Sequence, residues 1–193
     1  YFLLRESVFG QDADFREESL VARYNADLAN NLGNLVSRTL AMQERYFAGV
    51  VQPLGQAWVK EDEELRNRFL QAEEELKRYM TDLAFHRALE TIWTAIDHAN
   101  RYIVKTAPFV LFKGPEKRGR VGEILHHLLE VMRTTARLIA PFLPDTAKEL
   151  QALLAIPADA ANFQAPWGSF FVPGHKVLPP KVLFPRIETE PKA

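Results

Sequence analysis

The sequence predicts an all-α fold: an antiparallel helix bundle finished by an extended strap rich in proline and aromatic residues. Three observations predict it. Apolar residues recur with helical period over the first three quarters of the chain, proline and glycine punctuate that pattern at a few points, and seven of the twelve prolines fall from Pro157 onward. A chain of 193 residues with 47% hydrophobic and 25% charged residues can bury a proper core.

In chain order, Tyr1-Phe2-Leu3-Leu4 opens on an apolar run without a Met, which reads as the end of a segment that continues upstream. Leu20, Tyr24, Leu28, Leu35, Thr39, Met42 and Tyr46 then recur at steps of three, four or seven and describe one buried stripe, with Gly33 placed to bend or interrupt the helix. A second helix is expected from about Asp62 to Met80, with the acids Glu61 to Glu64 at the positive end of its dipole and its outer face wet. Phe85, Leu89, Ile92, Trp93, Ile96, Ala99 and Ile103 mark a third, which stops at Pro108 because the residue before a proline avoids the α region. A fourth carries Val121, Ile124, Leu125, Leu128, Leu129, Met132, Ala136 and Ile139. Pro141 and Pro144 break the chain before a short helix from about Asp145 to Leu154, with Asp145 as its N-cap.

From Pro157 prolines forbid a regular helix, while Phe163, Trp167, Phe170, Phe171 and Phe184 need a surface to cover, so a strap packed back along the helices is expected. Val182-Leu183-Phe184 reads as a short edge strand, and Glu190-Pro191-Lys192-Ala193 as a frayed end or the start of a linker. The organisation expected is therefore residues 1–14 as the end of a connection, 15–156 as the bundle, and 157–193 as the strap.

Composition narrows the chemistry. Without cysteine there is no disulfide framework, thiol nucleophile or zinc-thiolate site, which fits a cytoplasmic location, and no apolar run has membrane length. No Gly-rich phosphate loop or Gly-x-Ser-x-Gly elbow occurs, and the acidic runs Glu61 to Glu64 and Glu73 to Glu75 read as solvated helix surface. His126 and His127 are adjacent and point about 100° apart on a helix, so they do not chelate one metal from a common face. Glu123-Ile124-Leu125-His126 spells half of a ferritin-like metal site, and no second half accompanies it.

Charge is uneven along the chain. Residues 1–100 carry 17 acids against 11 Lys and Arg, whereas residues 101–193 carry 8 against 13, and the densest basic stretch runs from Arg101 to Arg120. Such a stretch is either a solvated helix end and loop or a surface for a polyanion. Asn34 and Arg38 share a helix face one turn apart, and their amide and guanidinium carry the donors that an unpaired base edge requires. Asn30, Asn31 and Arg45 continue that polar face, and Phe109 sets an aromatic ring within the basic stretch. On residue pattern alone, Asn34 and Arg38 also fit an ordinary helix edge, and Phe109 an ordinary core cap.

The segment from Arg23 through Asn34-Leu35-Val36-Ser37-Arg38 resembles the opening of the anticodon-binding helical domain of the methionyl-tRNA synthetase family. Tyr1-Phe2-Leu3-Leu4-Arg5-Glu6 resembles the end of the family's connection to its catalytic half. Ala99-Asn100-Arg101-Tyr102-Ile103 with Ala107-Pro108-Phe109 resembles the second anticodon element, and Gly174-His175-Lys176-Val177 with Arg186-Ile187 the closing strap. The resemblance implies the class Ia synthetase anticodon-binding fold, which the leucine, isoleucine, valine and cysteine enzymes share. It further implies that Asn34 and Arg38 bind the edge of the first anticodon base and that Phe109 stacks on the anticodon, where the family usually carries Trp. Lys105 and Lys113 are then placed for phosphate contacts. The family's His-Ile-Gly-His and Lys-Met-Ser-Lys-Ser signatures do not occur, so the expected role is to bind the tRNA anticodon stem-loop without catalysis or cofactor, ATP and methionine being used by the catalytic domain of the parent enzyme. The other classes kept open are a helical module whose strap docks a protein and a small metallo-bundle built around the histidines.

Overall fold

The computed structural model describes residues 1–55, 57–157, 160 and 163–188. Among them the chain forms α1 (Phe2–Glu6), α2 (Glu17–Arg23), a π-helical segment (Tyr24–Gly33), α3 (Asn34–Phe47), α4 (Lys60–Thr81), α5 (Phe85–Thr106), α6 (Pro108–Leu111), a 3-10 turn (Pro115–Lys117), α7 (Arg118–Ile139) and α8 (Pro144–Leu153). The fold is the all-α bundle that the periodicity predicts. The segment Glu190 to Ala193 lies outside the described residues.

At the centre stands α7, which packs against α3, α4, α5 and α8. Its sequence reads as amphipathic, yet both faces are covered. Leu125, Leu128, Leu129 and Val131 are buried, and so are His126, His127, Glu130, Arg133, Thr134 and Thr135. A helix covered on all sides must satisfy its polar side chains inside the protein. Glu130 and Arg133 do so mutually, at 2.7 Å.

Four expectations need correction. Gly33 does not interrupt the first helix: Gly33 keeps helical angles, and the departure is the wider winding from Tyr24 to Gly33 that feeds directly into α3. Asp145 is not the N-cap of the last helix; Leu143 holds that position, Pro144 occupies the first turn, and the Asp145 side chain is exposed. Val182-Leu183-Phe184 forms no strand, and the bridge formed among the described residues joins Val50 to Lys176.

The acidic run at the start of α4 is the fourth. Asp62 is fully buried, because its carboxylate receives Arg120 through two bonds of 2.6 and 2.7 Å and the Tyr102 hydroxyl at 2.6 Å. It also accepts the Val59 amide at 3.3 Å, capping α4. Glu73 and Glu75 likewise have inward partners, in Arg137 for the first and in Arg68 and Thr91 for the second.

The strap does pack back. Phe171 and Val177 are buried, and Phe163, Trp167, Phe170, Leu183 and Phe184 lie against the core. Arg133 holds it from below, donating to the carbonyls of Phe163 at 2.5 Å and Ala165 at 2.9 Å, with its guanidinium 5.3 Å from the Phe170 ring centre.

Candidate nucleic-acid interface

The π-helical segment and α3 present Asn30, Asn34 and Arg38 at four-residue steps along one edge. Asn31, next to them in sequence, turns inward. Its amide donates to Asp97 at 2.7 Å and its side-chain oxygen accepts from Asn100 at 2.7 Å, so two amides and a carboxylate tie this segment to α5. That tie fixes the floor of a groove of about 480 Å³ whose walls carry Asn30, Asn34 and Arg38 on one side and Arg101 and Val104 on the other.

Asn34 is exposed and Arg38 half-buried. Neither makes a side-chain hydrogen bond or ion pair among the described residues, whereas the Asn31 amide is spent on Asp97 and the Asn100 amide on Asn31. The open donors of the groove include the Asn34 amide and the Arg38 guanidinium one helical turn apart, a set that can meet the edge of an unstacked base, with Asn30 and Arg101 also unpaired among the described residues. Asn34 also borders a second groove, of about 430 Å³, formed with Ser37 and the strap residues Val182 and Phe184. The strap is seated there by Asn25, which both donates to and accepts from the Ile187 main chain at 2.9 Å. A methyl added at Gly33 would meet the Phe184 ring at 3.7 Å, an ordinary contact; the tight approach there is to the Leu28 carbonyl oxygen of the same π-helical segment, at 3.0 Å.

Phe109 stands apart from the groove walls, which reach along α5 only as far as Val104. Helix α5 ends at Ala107, in the left-handed region at φ 43°, and Pro108 opens α6. On that short helix Phe109 is 47% exposed, while Phe112 takes the inward role by stacking on Tyr46 at 4.0 Å between ring centres. Lys105 is paired with Glu61 at 3.1 Å, and Lys113 is exposed without an ion pair among the described residues.

The structure thus gathers Asn34 and Arg38 and adds Arg101, which no residue pattern had singled out as a contact. Asp97, Asn100, Arg101 and Val104 share one face at three- and four-residue spacing, and that spacing is legible; that the face lies opposite Asn34 is not.

The histidines are structural in their geometry. His126 donates from Nδ1 to the Gln52 carbonyl at 2.8 Å. His127 accepts the Trp167 indole N–H on Nδ1 at 3.1 Å, which leaves its proton on Nε2, 3.7 Å from Asp62. Burial lowers the pKa of both, and that of His127 falls to about 4. Burial works to raise the Asp62 carboxyl, but the Arg120 and Tyr102 hydrogen bonds outweigh it and hold the group below the usual carboxylate range. No group of three or more His, Asp or Glu among the described residues is arranged to hold a metal ion.

Residues 52–193 match the family model described as the anticodon binding domain of methionyl tRNA ligase, and residues 1–40 match that of class I tRNA synthetases (M). A methionine–tRNA ligase of Caldanaerobacter subterraneus subsp. tengcongensis is 42% identical over 98% of the chain, and one of Clostridium perfringens is 41% identical over all of it. The chain spans 30% of the length of each. Among solved structures, the apo form of Mycobacterium tuberculosis methionyl-tRNA synthetase superposes with a TM-score of 0.91 at 35% identity, covering 98% of this chain and 38% of that one.

Proposed function

From a chain that belongs to the family of the anticodon binding domain of methionyl tRNA ligase, we propose recognition of the anticodon stem-loop of methionine tRNA, with Asn34 and Arg38 reading the edge of the first anticodon base. The observation that supports it is the open groove in which these two side chains keep their donors unspent while Asn31 and Asn100 hold the walls. Phe109, exposed on α6, supplies a ring for stacking on the anticodon, and Lys113 a phosphate contact. Lys105 is the weaker of the two lysines for that role, since it would first have to give up Glu61.

In this reading residues 1–14 end the connection to a catalytic domain, 15–156 form the recognition bundle, and 157–193 brace it. The parent enzyme, in the cytoplasm, attaches methionine to tRNA at the expense of ATP, and the catalytic domain is the second partner. No helix among the described residues is long and apolar enough to cross a membrane. A rigid bundle serves such an enzyme by positioning: energy released on the anticodon holds the acceptor end where reaction occurs.

Titration with the methionine anticodon stem-loop and with a variant differing at the first anticodon base tests the reading. The cognate hairpin should bind more tightly, and Arg38→Ala should erase most of the difference. Equal binding of both hairpins by the parent chain, or undiminished selectivity in Arg38→Ala, would sink the assignment.

A further inference from the structure

Charge in the stretch from Arg101 to Arg120 divides into spent and unspent cations. Arg120 is consumed by Asp62 and Glu123, and Lys105 by Glu61. Arg101 lines the groove already described. Lys113, Lys117 and Arg118 remain, all exposed and without an ion pair among the described residues, on the turn that leads from α6 into α7. Glu116 is the one acid in that turn.

The turn is a rigid presenter of charge. The Gly114 amide donates to Leu111 and the Lys117 amide to Gly114, each at 3.0 Å, and Pro115 stiffens the link between them. The Arg118 guanidinium sits 5.1 Å from the Phe112 ring centre, and Phe112 is itself stacked on Tyr46. Arg118 is therefore held in place before any ligand arrives, which lowers the entropy cost of a contact.

The side-chain chemistry decides what such a surface takes. Between Lys105 and Arg120 there is no Asn or Gln to pair with a base edge, and the Thr106 hydroxyl is spent on the Tyr102 carbonyl at 2.7 Å. What the turn offers is three unpaired cations, Lys113, Lys117 and Arg118, and such groups pair readily with phosphate oxygens, contacts that position a nucleic acid without reading its sequence. We propose that Lys113, Lys117 and Arg118 form a cradle for the phosphate backbone of the double-stranded stem of the same RNA hairpin. The proposal rests on the anticodon reading: with the loop bases in the groove, the backbone that continues from them is duplex.

The test measures affinity of the full chain against salt concentration for three RNAs: the methionine anticodon stem-loop, its first-base variant, and the unpaired loop sequence without a stem. Lys113→Ala/Lys117→Ala removes two exposed side chains that have no ion pair among the described residues, and Lys148→Ala on α8 controls for general loss of charge. The log–log salt slope for the stem-loop should become shallower by about 1 to 2 units in the double variant. The slope for the stemless loop, and the ratio of cognate to variant affinity, should not change. An unaltered stem-loop slope, an equal change on the stemless RNA, or an equal change in Lys148→Ala overturns the proposal. Arg118→Ala, checked for folding by its thermal melt, should add a further step in the same direction. Failure of the parent chain to distinguish the first-base variant would overturn base reading alone, because the slope comparison still reports on the stem.

Discussion

Asn34 and Arg38 differ from Asn31 in having no side-chain hydrogen bond or ion pair among the described residues. Asn31, one helical step away, is committed to Asp97 and Asn100. Phe109 shows the same contrast with Phe112: both lie near the end of α5, and only Phe112 finds a partner in Tyr46. An exposed ring contributes little to stability, so Phe109→Ala should leave the melting curve within the about 0.5 kcal/mol expected of surface changes. It should nevertheless weaken the cognate stem-loop by about 1–3 kcal/mol if the ring is a stacking platform. Phe109→Trp should tighten binding, the larger π face and the indole donor being what the family usually places there. Isothermal titration of both variants decides, and an Ala variant that binds like the parent removes Phe109 from the site.

At the scale of elements, α7 and the strap depend on each other. Arg133 is buried to 1% exposure, and its donors go to Glu130 and to two strap carbonyls. Burial pushes the Glu130 carboxyl up, and the Arg133 charge opposes that shift. Removing one partner from a buried pair strands the other, so Arg133→Ala should destabilise by about 3–5 kcal/mol. The joint replacement Glu130→Leu/Arg133→Met should cost far less. Limited proteolysis adds a local readout: cleavage should appear first near Phe163 to Phe170 in Arg133→Ala. If the single and joint variants melt alike, the pair is not what holds the strap. The helices themselves were legible from their periodicity, but the role of this pair was not, because nothing in the spacing of Glu130 and Arg133 announces that a segment thirty residues later will cover them.

For the whole molecule, the buried junction of α4, α5 and α7 couples stability to pH. His127 titrates near 4 in the folded chain and near 6.5 when unfolded. The unfolded state therefore binds the extra proton first, and stability that is full above pH 6.5 is lost as pH falls toward 4. A shift of this size corresponds to about 3 kcal/mol, taken as an order of magnitude. Asp62, held below its usual range, adds a loss of the same sign at still lower pH, as its carboxylate protonates. Urea denaturation at pH 7.5 and pH 5 should show the decline, and His127→Gln should flatten it between those values. An equal decline in His127→Gln would assign the effect elsewhere, His126 being the next group to examine since burial lowers it too.

The sequence by itself determined the helical class, the approximate extent of the long helices, the strap, and the residues whose functional groups suit RNA, since apolar period and donor chemistry are local properties. Tertiary structure alone decided which polar groups are spent. Asp62 reads as one more acid at a wet helix start, yet it is fully buried by Tyr102 on α5 and Arg120 on α7. Lys105 and Lys113 read as equivalent, yet only Lys105 meets Glu61. A side chain is available to a ligand when folding has given it no partner, and its partners come from elements far away in the chain, whose approach the local pattern does not encode.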